Sequence, residues 1–288
     1  MDASYLIKCN VDQYYGIEYE EFPAQIARTA MWLMDHQMNM QVTEIFGEYY
    51  VRLPLQKSAA ITHGNAMRID WQSLIDPLPF EKSDAKFDYI FGNPPFVGKQ
   101  YQSREQKSDL EFVMRIDIKG YTDLDYVTGW FYKGAQYSEV YSSKVAFVAT
   151  SSITQGEQVP ILWNTLLNKF KIKINFAHKT FKWRNEAKGL AAVHCIIIGF
   201  SFVEENTKRL FEYDTPISEA HEIQVNNINP YLSSGKTVLI SKRPTPFGNV
   251  PEIKYGNKPT DDGNFIFTTE EKNEFLKLEP EAKKFFKK

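Results

Sequence analysis

The chain has 288 residues, 43% of them hydrophobic and 24% charged, enough to bury a sizeable core in one large domain or in one domain and part of a second. Its net charge of −2 and pI of about 6.3 give no overall basic signature. That argues against a free-standing nucleic-acid-gripping module, though not against a catalytic domain that takes its grip from elsewhere. Two distant cysteines, Cys9 and Cys195, indicate neither a disulfide framework nor a zinc site. The opening Met1-Asp2-Ala3-Ser4 is unlike a signal peptide, and the longest apolar runs are too short to span a bilayer. The expectation is a cytoplasmic protein.

In chain order, Tyr14 to Glu18 is a short β-like run ending in an acid. From Phe22 to about Met38, Ile26, Ala30, Leu33 and Met34 recur at helical spacing, with Pro23 where a first helical turn tolerates it. Ala59 to Ala66 reads as a second strand leading to Asp70, and Phe87 to Gly92 as a third, apolar enough for the middle of a sheet. Gly98 to Lys107 is polar and expected to be mobile. Leu124 to Tyr137 reads as an aromatic-rich helix, Val145 to Thr150 as a buried strand, and Pro160 to Leu167 as a helix. Ile172 to Ala177 and Ala191 to Phe202 are strands with no helix between them, so an antiparallel pair is expected. Strands alternating with helices predict an α/β sandwich with a mostly parallel sheet and an antiparallel last strand. After about Phe211 the character changes: residues 226–263 are rich in Asn, Pro, Gly and Lys, as in loops or a linker, before a Glu/Lys-rich helix over 270–288.

One motif carries chemistry. The third strand stops at Asn93-Pro94-Pro95-Phe96, where prolines prevent a central strand from continuing its ladder. Ligands of open α/β sheets bind at such carboxyl ends. The Asn93 side-chain oxygen and a carbonyl of the proline pair suit an exocyclic NH2 group, which donates two hydrogen bonds. The prolines hold those acceptors in place beforehand, and Phe96 offers a ring face to a planar base. An amine held in this way presents its lone pair to an electrophilic methyl group with no covalent enzyme intermediate. Asn-Pro is also an ordinary turn initiator, but its position after a buried strand and Gly92 favours the chemical reading.

Gly92 to Gly98 resembles motif IV of amino-methyltransferases. Longer segments resemble the MmeI-like (type IIL) restriction–modification enzymes: Tyr15 to Ala24, Leu33 to Asn39, Gly64 to Trp71, Ser152 to Gln158 and Gly256 to Asp261. The resemblance implies a Rossmann-like class I sheet and transfer of a methyl group from S-adenosyl-L-methionine to the N6 amine of adenine in double-stranded DNA. It implies catalytic roles for Asn93, Pro94, Pro95 and Phe96. Glu18 would accept from the cofactor's ribose hydroxyls and Asp70 from its adenine amine, with Ala66 and Met67 as apolar walls. A flipped base would stack on Phe96 and on Phe181 or Trp183, with Phe181 favoured. Lys182, Arg184 and Lys188 suit either phosphates or solvent.

The family also needs a glycine-rich loop, approximately Asp-Pro-Ala-Cys-Gly-Ser-Gly, after the sheet's first strand, and residues 1–13 supply none. The resemblance therefore implies an internal fragment: residues 1–211 a partial catalytic domain, 212–288 a connector and the start of a target-recognition region. Such a fragment is expected to be inactive by itself, and its partners would include the missing amino-terminal methyltransferase or nuclease segment. A non-catalytic remnant, a methyltransferase acting on a protein glutamine amide and a plain DNA-recognition module are the alternatives. No metal site is expected: Glu186-Ala187-Lys188 lacks the upstream acid of a nuclease, and His36, His63, His178, His194 and His221 show no ligand spacing.

Overall fold

The computed structural model describes residues 8–47, 58–75, 84–183, 193–243, 245, 248–250 and 266–286. They fall into two compact units, Met1–Lys242 and Arg243–Lys288.

The first unit opens with β1 (Tyr15–Glu18), α1 (Glu21–Phe46) and β2 (Ala60–His63). Gly47 ends α1 in the left-handed region at φ 69°, its N–H returning to the Thr43 carbonyl. β1 and β2 pair in parallel as a two-stranded sheet. The second sheet has six strands, β3 (Tyr89–Gly92), β4 (Lys144–Thr150), β5 (Lys173–Trp183), β6 (Val193–Ser201), β7 (Lys208–Tyr213) and β8 (Ala220–Val225), in the order β3-β4-β6-β5-β7-β8. Its helices are α2 (Arg104–Met114), α3 (Thr128–Tyr141) and α4 (Gln158–Asn168).

The α/β class is as expected, but the sheet is mixed rather than mostly parallel. β3–β4 and β5–β7 are parallel pairs, whereas β4–β6, β5–β6 and β7–β8 are antiparallel. β6 lies between β4 and β5 and pairs antiparallel with both, which reverses both ladders. β7 and β8 carry the sheet past residue 211 to Val225, just ahead of the loop-like composition of residues 226–263.

Part of the polar Gly98–Lys107 stretch is also ordered helix. Ser103 caps α2 by accepting from the Gln106 N–H (3.2 Å), while the Gln106 side chain accepts from the Ser103 N–H (3.0 Å). That capping box satisfies two donors at a helix start and was readable as Ser-x-x-Gln.

The core lies between α3, α4 and the sheet. Fully buried Phe131 stacks on Phe200 at 5.7 Å and meets Phe147 and Trp163 at 5.5 and 6.2 Å. Close approach of α3 requires Gly134, where a Cβ would stand 2.8 Å from Val145 and 3.0 Å from Phe147. Each such buried side chain contributes about 1.5–3 kcal/mol by leaving water. In the second unit, Thr268 caps α5 (Thr269–Leu278), and Phe267, Phe275 and Phe286 form an aromatic cluster. No helix among the described residues is long and apolar enough to cross a membrane.

Candidate functional site

The carboxyl ends of β3, β4, β5 and β7 share one edge of the six-stranded sheet, because these strands run in one direction. Asn93 leaves β3 at that edge, exposed, and its side chain makes no hydrogen bond among the described residues. Pro94 beneath it is buried, Pro95 is exposed, and Phe96 is half-buried against the core. The loop is thus anchored at alternate residues and keeps the Asn93 amide accessible.

Asp125, which no sequence signal marks, fastens the chain beyond Phe96. Its carboxylate accepts from the Lys99 N–H (3.0 Å) and from the Ser152 hydroxyl, while the neighbouring Tyr126 N–H donates to the Val97 carbonyl (2.9 Å). Ser152 also bonds Thr150 at the end of β4 (2.8 Å). The loop after Phe96 is therefore tied to the segment leading into α3 and to the end of β4. Hydrogen bonds to a charged group are worth about 1.5–3 kcal/mol. Asp125→Ala is accordingly expected to speed amide exchange at Val97–Gln102 by about tenfold or more, since about 1.4 kcal/mol is a factor of ten. Asp125→Asn, which keeps an acceptor, should change it less. Exchange mass spectrometry gives the answer, and unaltered exchange in the alanine variant would remove Asp125 from this role.

The end of β2 leads to the same place. Asp109, buried on α2, accepts from Asn65 (2.9 Å), from the Arg68 guanidinium (2.6 Å) and from the Tyr126 hydroxyl (2.7 Å). At the opposite ends, Tyr15 at the start of β1 meets Phe87 just before β3 edge-on, at 5.3 Å. Starts meet starts and ends meet ends, so β1, β2 and β3 run in one direction. Glu18 and Asn93 consequently face the same edge. Glu18 accepts from the Tyr19 and Glu20 N–H groups (2.9 and 3.4 Å) at the amino end of α1, and Asp70 is exposed and accepts from the Gln72 N–H (3.2 Å).

Between them lies a rigid turn. The Ala66 carbonyl accepts from the Trp71 indole (3.0 Å) and the Lys133 ammonium (2.7 Å). Met67 points inward and is buried, and a Cβ on Gly129 would lie 1.9 Å from its methyl. Met67 therefore supports the turn from behind, and Ala66 is the half-exposed member. Burial lowers the Lys133 pKa from 10.5 to about 8, opposed by the nearby Asp70 charge. Between those two values the unfolded chain holds the extra proton, so stability rises with pH across that window. Above it, Tyr126 and Tyr132, whose pKa values burial raises, reverse the trend. Melting temperatures from pH 7 to 10 should show the rise, and Lys133→Met should abolish it. A parallel rise in that variant would refute the assignment.

Phe181 lies near the end of β5, stacked on Tyr213 at 5.4 Å and edge-on to His178 at 6.3 Å. His178 lies flat on Phe211 at 4.1 Å and hydrogen-bonds the Tyr213 hydroxyl (2.8 Å). Burial, and secondarily Arg209, lowers its pKa, which keeps the ring neutral. A cavity of about 420 Å³ opens beside this cluster, between Thr154, Gln155, Thr180, Tyr213 and Tyr231. Trp183 closes β5, paired with Val193. The backbone of Lys182 is held by the Pro216 carbonyl (2.6 Å), while Arg184, Glu186 and Lys188 lie outside the described residues. No group of three His, Cys, Asp or Glu side chains gathers among the described residues in a way that would hold a metal ion.

Residues 2–212 match the family model described as the MmeI DNA-methyltransferase domain, and residues 234–288 match the MmeI target recognition domain. DNA methyltransferase A of Bacillus subtilis (strain 168) is 39% identical over 285 residues, covering 99% of this chain and 31% of that protein. The type IIL restriction-modification enzyme MmeI, solved in complex with DNA, superposes with a TM-score of 0.85 at 50% identity, covering 98% of this chain and 37% of that one. The chain thus spans about a third of each relative's length. A methyltransferase model matched across most of the sequence and a target-recognition model matched after it mean that this chain belongs to the MmeI DNA-methyltransferase family.

Proposed function

We propose that this chain carries the acceptor side of a DNA adenine-N6 methyltransferase that uses S-adenosyl-L-methionine and belongs to a restriction–modification enzyme. In this reading residues 1–211 are a partial catalytic domain, and 212–288 connect to and begin the target-recognition region. The family matches at 2–212 and 234–288 support that division. The observation that carries the reading is the exposed Asn93 amide above an anchored proline, on the edge that Glu18 also faces.

S-adenosyl-L-methionine, when bound, supplies the methyl group. The residues present fit its adenosine end. Glu18 has a second carboxylate oxygen for ribose hydroxyls, and Asp70 is exposed beside the Ala66 turn, with Met67 behind it. A flipped adenine donates its N6 hydrogens to the Asn93 oxygen and to a carbonyl of Pro94 or Pro95, and Phe96 covers one ring face. This holds the N6 lone pair toward the cofactor side, and the displaced proton passes to water. Phe181 would bound the base from its other side, and the Trp183 side chain lies outside what the structure describes. Double-stranded DNA is the substrate, and the target-recognition region supplies grip that an acidic chain lacks.

The test is transfer of tritiated methyl into duplex DNA, followed by digestion to nucleosides. Label in N6-methyladenine supports the reading; label in cytosine or in protein glutamine refutes it. By itself the chain is expected to bind S-adenosyl-L-methionine more weakly than about micromolar and to transfer little. Tight binding in calorimetry would overturn the fragment argument.

A further inference from the structure

The segment that follows the Asn93 motif is polar in sequence, yet it is ordered on both sides of one exposed ring. The Tyr101 N–H donates to the Gly98 carbonyl (2.8 Å) and closes a turn. Ahead of the ring the Lys99 N–H is held by Asp125 (3.0 Å), and behind it buried Gln102 donates to the Leu124 carbonyl (2.9 Å). Between these anchors Tyr101 is 76% exposed, its ring lying over Gly98, where a Cβ would stand 3.7 Å from it. Gly98 follows Asn93 by five residues, so the two backbones lie within about 18 Å of each other. That is a few base steps of a duplex, at about 3.4 Å each.

The charge around the ring agrees. Gly98–Lys107 carries three cations, Lys99, Arg104 and Lys107, against one acid, Glu105, in a chain with more acids than cations overall. Lys99 shares its charge with Asp123 (3.2 Å). Arg104 and Lys107, three apart at the start of α2, are exposed and make no ion pair among the described residues. That spacing puts them on one helix face. A single exposed tyrosine needs no explanation. One immobilised on an anchored loop, beside uncommitted cations and just beyond the acceptor motif, combines what is needed to stack on a base and to hold phosphate.

We propose that Tyr101 stacks on the base pair that a flipped adenine uncovers, with Arg104 and Lys107 on phosphates of the same stretch of duplex. Extruding a base costs its stacking as well as its pairing. A ring already fixed in place restores part of that stacking and gives up little freedom of its own. The ring therefore acts on the opened duplex and not on the paired one, whereas the two cations act on both. Its place beside the flipped base rests on the methyltransferase reading, and stacking on unpaired DNA stands on the loop alone.

Fluorescence anisotropy at one fixed salt concentration compares the full chain on two labelled duplexes that differ at a single position, where in one of them an adenine faces an abasic site. Expected is tighter binding to the duplex with the unpaired adenine. Tyr101→Ala should lower that affinity by about tenfold, within the range for one lost base–aromatic stack, and should change affinity for the paired duplex less than about twofold. Its melting temperature should not move, because the ring is exposed. Tyr101→Phe, which keeps the ring, should match the unaltered chain on both duplexes. Arg104→Ala combined with Lys107→Ala should weaken both alike and flatten the salt dependence. No preference for the opened duplex, an undiminished preference in Tyr101→Ala, or an equal loss on both duplexes would overturn the stacking role. Exchanging the unpaired adenine for cytosine separates the two readings: an unchanged preference that still depends on Tyr101 leaves the stacking intact and counts against the adenine site.

Discussion

Asn93→Ala is expected to lower methyl transfer by about 100-fold or more, measured in the chain complemented by the amino-terminal methyltransferase segment that the family resemblance implies. In the proposed function the side chain supplies an acceptor that both binds the target amine and aims its lone pair. Loss of one such preorganised contact costs on the order of 3 kcal/mol in the transition state. Folding should be untouched, because the amide is exposed and the loop is held elsewhere, by buried Pro94 and by Asp125 on Lys99. Cofactor affinity should also stay within about twofold, since Asn93 faces the acceptor. Phe96→Ala should instead weaken base capture, by roughly 1–3 kcal/mol for a lost stack, and with some loss of stability because Phe96 also packs on the core. Tritiated methyl incorporation and thermal melts of each variant decide between them. Full activity in Asn93→Ala would reduce the motif to a turn. If that variant melts early, Asn93→Gln, which keeps the amide but displaces it, provides the readout.

Trp163→Ala should give the largest loss of stability. The indole is fully buried on α4, meets Phe131 at 6.2 Å and donates to the Ile153 carbonyl at 2.8 Å. Truncation leaves a large cavity and an unpaired carbonyl, at about 3–5 kcal/mol. At about 2–4 °C per kcal/mol for a domain of this size, the melting temperature should fall by about 10 °C. The consequence reaches the site, because Ile153 lies in the turn that carries Ser152, which holds Asp125. Exchange at Val97–Gln102 should therefore rise together with the destabilisation. A fall of less than about 3 °C would show that α4 is not a pillar of the core.

The sequence by itself determined most of the element types and where β3 must end. Ile26, Leu33 and Met34 at helical spacing marked α1, and an apolar run stopped by two prolines marked both β3 and its end. These signals are local: a period of side chains and a residue that cannot donate. Family membership was equally legible, carried by long segments such as Tyr15 to Ala24. Tertiary structure decided the rest. Whether β6 adds beside β5 alone or also beside β4 depends on which edges are free, so the mixed sheet was not visible in any one strand. β7 and β8, which no side-chain period singled out, are strands through pairing with an existing edge. Asp109 and Asp125 look like ordinary surface acids, and only burial among Asn65, Arg68, Tyr126 and Lys99 makes them the ties of the two loops. Met67 shows the converse. Its type suited an exposed apolar wall, but the absent side chain of Gly129 opens a place for it in the core, and such complementarity exists only once α3 and the turn after β2 have met.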